Sequence, residues 1–477
     1  MKAYAGIDIG TTNTKIMVIT KNGIENVFKV KTPKNVINGV EYFDLDKLEH
    51  AIEKVLCQIK DRWSLAGLSC TSVGESVVAV SRGKKLYDPI VWYDTCTKPL
   101  QEKYKDTVET LAPYEISGSR DIYYFSLYKI LYMYEKSIVK PDQVEHWLPI
   151  SSYITYKLTR KPLWDMTQAC RSHMVDIHRR KWNEELLKYF QIDPDQLGEL
   201  HYTGSFAGQW ENVPVFLSGH DHLTGTYGLT SLFGSEIIYD SMGTASLITA
   251  IAHEKDKNMH MKSPFMKNGG LVGIAFEDKQ YYLASGVRYH GKLIELILKI
   301  FGMKTSSKRF IELNEQISVL PVKLPFYIYS NGDNIVGENA DGINFLKIPA
   351  SCSQIEMLQS VYLYLCYTSR LTVENLEKFV GQLPVIAGGG LTDNKTFISY
   401  KASMLGKTIY YLNTAELTAL GAAISAIRGA NDFQMIEYLR KKIHFEKVFP
   451  NKELSEKMNE LYKEIQRGYE RLIKEVE

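Results

Sequence analysis

Short apolar runs alternate with longer stretches of helical spacing through both halves of this 477-residue chain. Residues 4–9 read as a buried strand and residues 15–19 resume β-type side chains at once, which places Gly10 in a hairpin and not at a helix start. Strands are predicted over 3–9, 16–20, 76–80 and 213–217, the last running into a turn across 216–219. Leu45, Leu48, Ile52, Val55, Leu56 and Ile59 recur at helical spacing, and residues 151–158 open another helix. In the second half, 270–276 and 280–284 predict a hairpin, 292–300 and 355–379 predict helices, and 383–387 predicts a short buried strand. Leu454, Met458, Leu461, Ile465, Tyr469, Leu472 and Ile473 line one face of an amphipathic helix over 453–476, its Lys and Glu forming a solvated face. Such alternation argues an α/β fold. The length exceeds one compact core, so two domains are expected, 1–229 and 230–477. No Pro/Ser-rich linker separates them, so they should touch across a hinge.

Composition narrows the partners. With 57 basic against 55 acidic side chains the net charge is +2, too weak a field to grip nucleic acid or an anionic membrane. No apolar stretch has the length of a membrane span, and Asp8 stands where a signal peptide needs its apolar core. The expectation is a cytoplasmic protein acting on small molecules. Six scattered cysteines without a Cys-x-x-Cys pair predict free buried thiols, not disulfides or a zinc site.

Two turns follow apolar strands and end in Gly-Thr: Asp8 to Lys15, and Asp240 to Ser246. Such a hairpin turns successive backbone N–H groups and the hydroxyls of Thr11 and Thr12 toward an anion, while Gly10 keeps a Cβ out of the way. Asp8 would face a phosphate-bound Mg²⁺. The second copy, around Gly243 and Thr244, would clamp the phosphates from the opposite side. A third stretch, 385–394, joins a strand, Gly388-Gly389-Gly390 and a helix start, which brings bare backbone against something flat or anionic. Ordinary hairpins and a glycine turn for close helix packing are the competing readings.

Taken in order, DIGTTNTK (8–15), WYDTCTK (92–98), SGHDH (218–222), DSMGTAS (240–246), AGGGLTDN (387–394) and ELTALGAA (416–423) resemble the FGGY carbohydrate kinases of the actin, Hsp70 and sugar kinase superfamily, collinearly over almost the whole chain. The resemblance implies an α/β fold of two actin-like ATPase (ribonuclease H-like) domains flanking a catalytic cleft, with ATP and Mg²⁺ as cofactors. Gly10, Thr11, Thr12, Lys15, Gly243, Thr244, Gly286, Gly389, Gly390 and Asn394 would lie at the nucleotide, and Asp8 and Asp221 at the metal. Asp221 would be the catalytic base. Glu75, Asp94, Asp221 and His222 would meet the substrate.

The chemistry of these residues agrees. A sugar hydroxyl is a poor nucleophile, and phosphoryl transfer needs a carboxylate to take its proton. Asp221 follows a predicted strand and the Gly219 turn, at the carboxyl end where α/β folds bind ligands. It could instead cap the following helix. A metal site on His220 and His222 is disfavoured, since two His flanking one residue would point to opposite sides of a helix. Glu75 precedes a β-type run without an evident local partner, and Asp94 has Trp92 and Tyr93 beside it to stack on a sugar. Carboxylates there can accept paired hydroxyls. Turn carboxylates with no ligand are the alternative.

Residues 286–293 have the spacing of a Walker loop, but Leu293 stands where Mg²⁺ needs Ser or Thr, so Gly286 is left to line the pocket. On the substrate side the chain departs from relatives. Many ketopentose kinases have Gln-Met-His-Gly where this one has Ser72-Val73-Gly74-Glu75, and of the glycerol kinases' Arg-Glu pair only Glu75 is matched. The reading is ATP-dependent phosphorylation of a ketopentose, deoxyketose, tetritol or sugar acid. A glycerol kinase is the alternative, and a non-catalytic nucleotide-gated sensor or filament protein is the rival from another class. The expected partners are the small sugar or polyol and a second copy of the chain in a homodimer, with neither nucleic acid nor membrane.

Overall fold

Seven consecutive buried residues, Ala3 to Ile9, make Lys2–Ile9 the central strand of a six-stranded sheet. A strand covered on both faces reads as such a continuous apolar run. The computed structural model describes residues 1–476 except 244–245, 255–269, 288–289, 305–307, 331–342, 413 and 415, and the side chains of 287, 329–330 and 469–476 are likewise outside the description. Thr244 of the second Gly-Thr turn and Tyr469, Leu472 and Ile473 of the last apolar stripe therefore lie outside the described side chains.

Lys2–Ile9 pairs antiparallel with Asn13–Thr20, Asp8 opposite Lys15, and that strand pairs with Gly23–Lys31. On the other side Ser64–Ser72 and then Val213–His220 run parallel, edged by Phe206–Trp210. The second sheet repeats the plan. Ile238–Met242 pairs antiparallel with Ser246–His253, beyond which lie Gln280–Val287 and Leu271–Ile274. Its other side carries parallel Val385–Gly388 and Ile409–Tyr411, then antiparallel Glu446–Val448. The protein is thus a duplicated α/β fold of the actin-like ATPase type, with two domains flanking a cleft. Each domain's central hairpin carries one of the two Gly-Thr sequences.

The two halves meet through two helices, Asp221–Phe233 and Leu417–Gly429. Their backbones touch: a Cβ on Gly421 would stand 2.1 Å from the Thr224 carbonyl oxygen, and one on Gly228 would stand 2.5 Å from the Gly421 Cα. Leu417–Gly429 also lies on the first sheet, where a Cβ on Gly6 would be 2.2 Å from the Ala423 nitrogen. Asp221–Phe233 runs unbroken through the division expected after residue 229.

One local expectation fails. Residues 216–219 do not form a turn, because the strand continues to His220, opposite Ser72, and the helix starts at once with Asp221. Gly219 is required for packing instead: a Cβ there would sit 1.8 Å from the Thr167 hydroxyl. The cysteines are free, with Cys70, Cys170 and Cys366 buried but Cys57 exposed. No described helix is long and apolar enough to cross a membrane.

The glycine crossing yields a prediction. Gly421→Ala should destabilise the protein by about 1–3 kcal/mol, the usual cost of overpacking, read as a lower urea midpoint. An unchanged midpoint would mean that the helices are free to separate there.

Candidate active site

The first turn is braced from the end of the third strand. Thr32 donates its hydroxyl to the Gly10 carbonyl at 2.8 Å and its N–H to the Thr12 carbonyl at 3.0 Å. Gly10 N–H closes the turn onto Asn13 O at 3.2 Å. Thr12 is exposed, while the Thr11 hydroxyl accepts the Trp92 indole N–H at 3.0 Å. Trp92 is thereby tied to the turn.

Asp8, two residues before Gly10, is buried, and its carboxyl is pushed up to about 7 by that burial, with the charges of Asp221 and Glu416 adding to the push and Lys15 opposing it. Lys15 lies 3.8 Å from Asp8 and 2.5 Å from Glu416, which precedes the Leu417–Gly429 helix. This ion pair joins the two halves of the chain behind the first turn.

Asp221 keeps about a fifth (21%) of its side chain exposed. Burial favours its neutral form, but His222, His220, the His222 backbone N–H and Arg171 outweigh this and hold the carboxyl below its ordinary range. Its Oδ1 accepts the His222 N–H at 2.7 Å and lies 3.2 Å from His220 Nδ1. It is the first residue of the helix, the cap position falls on His220, and the Asp221 side chain reaches only the N–H of its own neighbour His222, so the capping reading does not hold. The rings of His220 and His222 do not diverge as expected but stack at 5.7 Å, because His220 still has extended backbone. Burial drives the His220 pKa down to about 3, which leaves the ring neutral. His222 Nδ1 lies 3.1 Å from the Ser241 hydroxyl, a link from this helix to the second sheet.

Glu75 is buried in a left-handed backbone conformation, φ 62°. Its partner comes from far away: Arg171 directs Nε (2.8 Å) and Nη2 (2.5 Å) at the same oxygen, Oε1. Burial raises the Glu75 pKa and Arg171 opposes the rise. The guanidinium also sits over Phe125 at 5.3 Å. Gly74 makes room for this arrangement, since a Cβ there would be 2.7 Å from the His220 ring. Lys129, a second unforeseen residue, is wholly buried and donates to the Val91 and Asp94 carbonyls at 3.2 and 3.4 Å. Burial lowers its pKa to about 8.

Two expected contact residues are engaged with backbone. Asp94 accepts the Glu41 N–H on Oδ2 at 2.9 Å and the Cys96 N–H on Oδ1 at 2.8 Å, capping Thr95–Thr97. Asn394 caps Lys395–Leu405 by accepting the Phe397 N–H at 3.0 Å, and its amide donates to the Tyr362 hydroxyl at 2.7 Å.

In the second turn, the Gly243 carbonyl accepts the Gly291 N–H at 3.1 Å, so the start of the His290–Ile300 helix abuts it. Gly286 is exposed in the strand Gln280–Val287, opposite Leu247 and not in a phosphate loop. Gly389 has φ 97°, and a Cβ on it would lie 2.4 Å from the Met242 carbonyl oxygen, so the glycine turn rests directly on the second hairpin. A Cβ on Gly390 would have nothing within 4 Å. That position faces open space.

Two family models match in order, the N-terminal domain of the FGGY family of carbohydrate kinases over residues 3–228 and its C-terminal domain over residues 238–430. The chain belongs to the FGGY family of carbohydrate kinases. A glycerol kinase of Lactobacillus acidophilus is 24% identical over 99% of this chain and 98% of its own length. An L-fuculokinase of Escherichia coli is 22% identical over 92% of this chain and 95% of its own. Among solved structures, ligand-bound xylulose kinase from Lactobacillus acidophilus has a TM-score of 0.83 at 17% identity, covering 99% of this chain and 98% of that one. The relatives carry different sugars or polyols in their names.

FGGY kinases use ATP with Mg²⁺, and the residues at the first turn fit that ion. Mg²⁺ takes one or two protein carboxylates and completes its shell with phosphates and water. Asp8 and Asp221 are hard oxygen donors, and Asp8 feels the charge of Asp221, a repulsion a divalent cation would relieve. Among the described residues no group of three His, Cys, Asp or Glu forms a self-sufficient metal cage.

The Asp8 shift fixes a pH dependence. Its folded value lies above the ordinary 3.8, so the native state holds the extra proton and loses stability as pH rises from about 4 to about 7. Ligand-free Asp8→Asn should therefore be more stable than wild type at about pH 7.5, by up to about 4 kcal/mol, with the gain shrinking toward about pH 4. The variant should be inactive. Urea unfolding at several pH values checks this, and a variant less stable than wild type at about pH 7.5 would contradict it.

Proposed function

We propose that this chain is a Mg²⁺-dependent kinase that transfers the γ-phosphoryl group of ATP to a hydroxyl of a small neutral ketose or polyol. The observation that carries the reading is Asp221: an ionised, part-exposed carboxylate at a strand end, coupled to Asp8 on one side and to Arg171 and Glu75 on the other. Gly10, Thr11, Thr12, Lys15, Gly243 and Thr244 would hold the phosphates. Gly389 and Gly390 would form the wall against the base, with Asn394 positioning that wall through its cap, and Gly286 would border it. Asp8 and Asp221 would hold Mg²⁺, which would supply charge neutralisation for the transferred group.

Asp221 accepts the proton of the attacking hydroxyl while its oxygen bonds to the γ-phosphorus and the bond to the β-phosphate oxygen breaks, releasing ADP. Glu75, with Oε1 taken by Arg171, offers Oε2 to a substrate hydroxyl. His222 borders the same space. Asp94 would act on the substrate through the loop it caps. The two cations that act on Glu75 are both engaged, Arg171 with Glu75 itself and Lys129 with backbone carbonyls. Neither is free for a substrate carboxylate, which favours neutral substrates over sugar acids. Glycerol is the second reading, favoured because Arg171 places a guanidinium on Glu75, the pairing that glycerol kinases carry as adjacent residues.

The test is ADP release against a panel of ketopentoses, deoxyketoses, tetritols, glycerol and sugar acids, with Asp221→Asn as the control. Turnover should be stimulated by one neutral class, and Asp221→Asn should lower kcat by about 10²–10⁴-fold, the contribution of a general base. Its melting temperature should change little. A variant keeping more than about a tenth of kcat on the best substrate would refute the role of Asp221.

A further inference from the structure

Behind the second phosphate turn lies a charged pair that the proposed chemistry does not use. Asp240 and Lys401 are both 0% exposed and form an ion pair through Asp240 Oδ2. Asp240 Oδ1 accepts the hydroxyl of Ser246 at 2.9 Å, which spans the turn from one strand of the hairpin to the other. Lys401 Nζ also lies 3.1 Å from the sulfur of Met242, the residue before Gly243. Lys401 belongs to Lys395–Leu405, the helix that follows the glycine turn. Its neighbour His290, buried with neither ring nitrogen hydrogen-bonded, is kept neutral by burial.

A dry ion pair is a poor source of stability, because apolar residues of similar volume usually serve as well or better, whereas losing one partner strands a buried charge. What the pair does supply is fixed geometry. Lys401 grips the hairpin at Asp240 and Met242, and the glycine turn ahead of its helix already rests on Met242 through Gly389. We infer that Asp240 and Lys401 are positioning residues that lock the second hairpin at Met242 and Gly243 to the glycine turn, so that Gly243 and Gly389 present their backbone to the nucleotide as one rigid unit. The inference rests on the nucleotide-site reading given above. Neither side chain touches the ligand.

The experiment is calorimetric titration of the full chain with ADP and Mg²⁺, alongside thermal melts. Lys401→Met alone should lower the melting temperature, since it strands Asp240. The double variant Asp240→Asn/Lys401→Met removes both charges but keeps a partner for Ser246, and its melting temperature should return close to wild type. Its ADP affinity should nevertheless stay weakened by about tenfold or more, as small misplacements of a binding group cost at least that, while the sugar KM stays within about twofold. Ser246→Ala, a smaller change that leaves both charges in place, should weaken ADP by about threefold or more with little change in melting. Wild-type ADP affinity in a folded double variant, or in Ser246→Ala, would overturn the inference and leave the kinase reading standing. Wild-type protein that binds no ADP would overturn both.

Discussion

One buried carboxylate in the field of a second organises this site. Asp8 ends one strand of the first sheet, Asp221 follows another, and burial lifts Asp8 to about 7 with the charge of Asp221 adding to the push. Buried carboxylates in each other's field are costly without cations. The fold answers with Lys15 beside Asp8 and with Arg171 and the His222 backbone N–H beside Asp221, and Mg·ATP of the kind the family uses would answer the remainder. The strain lies where chemistry is expected, and a cation bound there would relieve it.

The duplicated architecture makes that cluster two-sided. Each sheet contributes a hairpin with a glycine turn, and the elements between them are joined by close backbone contact at Gly6, Gly228 and Gly421. Lys15 with Glu416, and His222 with Ser241, then cross from one half to the other at the site itself. Any opening of the cleft would have to move these ions and hydrogen bonds, and with them the field around Asp8.

Residues whose roles depend on near neighbours were legible in the sequence. The Gly10 hairpin, the strand leading to Asp221 and the glycine turn at 388–390 follow from local apolar runs and turn chemistry. Contacts between distant segments were not. Arg171 lies 96 residues from Glu75 and Glu416 lies far beyond Lys15, and nothing in a single arginine after a short helix marks its target. Gly219 imitated a turn because a glycine needed for packing against Thr167 looks the same as one needed for a bend. Asp94 and Asn394 show the converse: side chains well suited to a ligand are also the best caps, and their N–H partners lie two or three residues away or across a strand. Lys129 carried a weak signal, a lysine in an otherwise apolar turn of its helix.

The central claim is that Asp8 and the first turn form a Mg²⁺-nucleotide site. Calorimetry of Mg·ADP binding at about pH 6.5, in buffers of different ionisation enthalpy, measures the protons exchanged on binding. With the Asp8 carboxyl near 7, a cation there should expel a large fraction of a proton, less as pH rises toward about 8.5, and none in Asp8→Asn. Nucleotide binding without proton release in the wild-type protein would contradict the account.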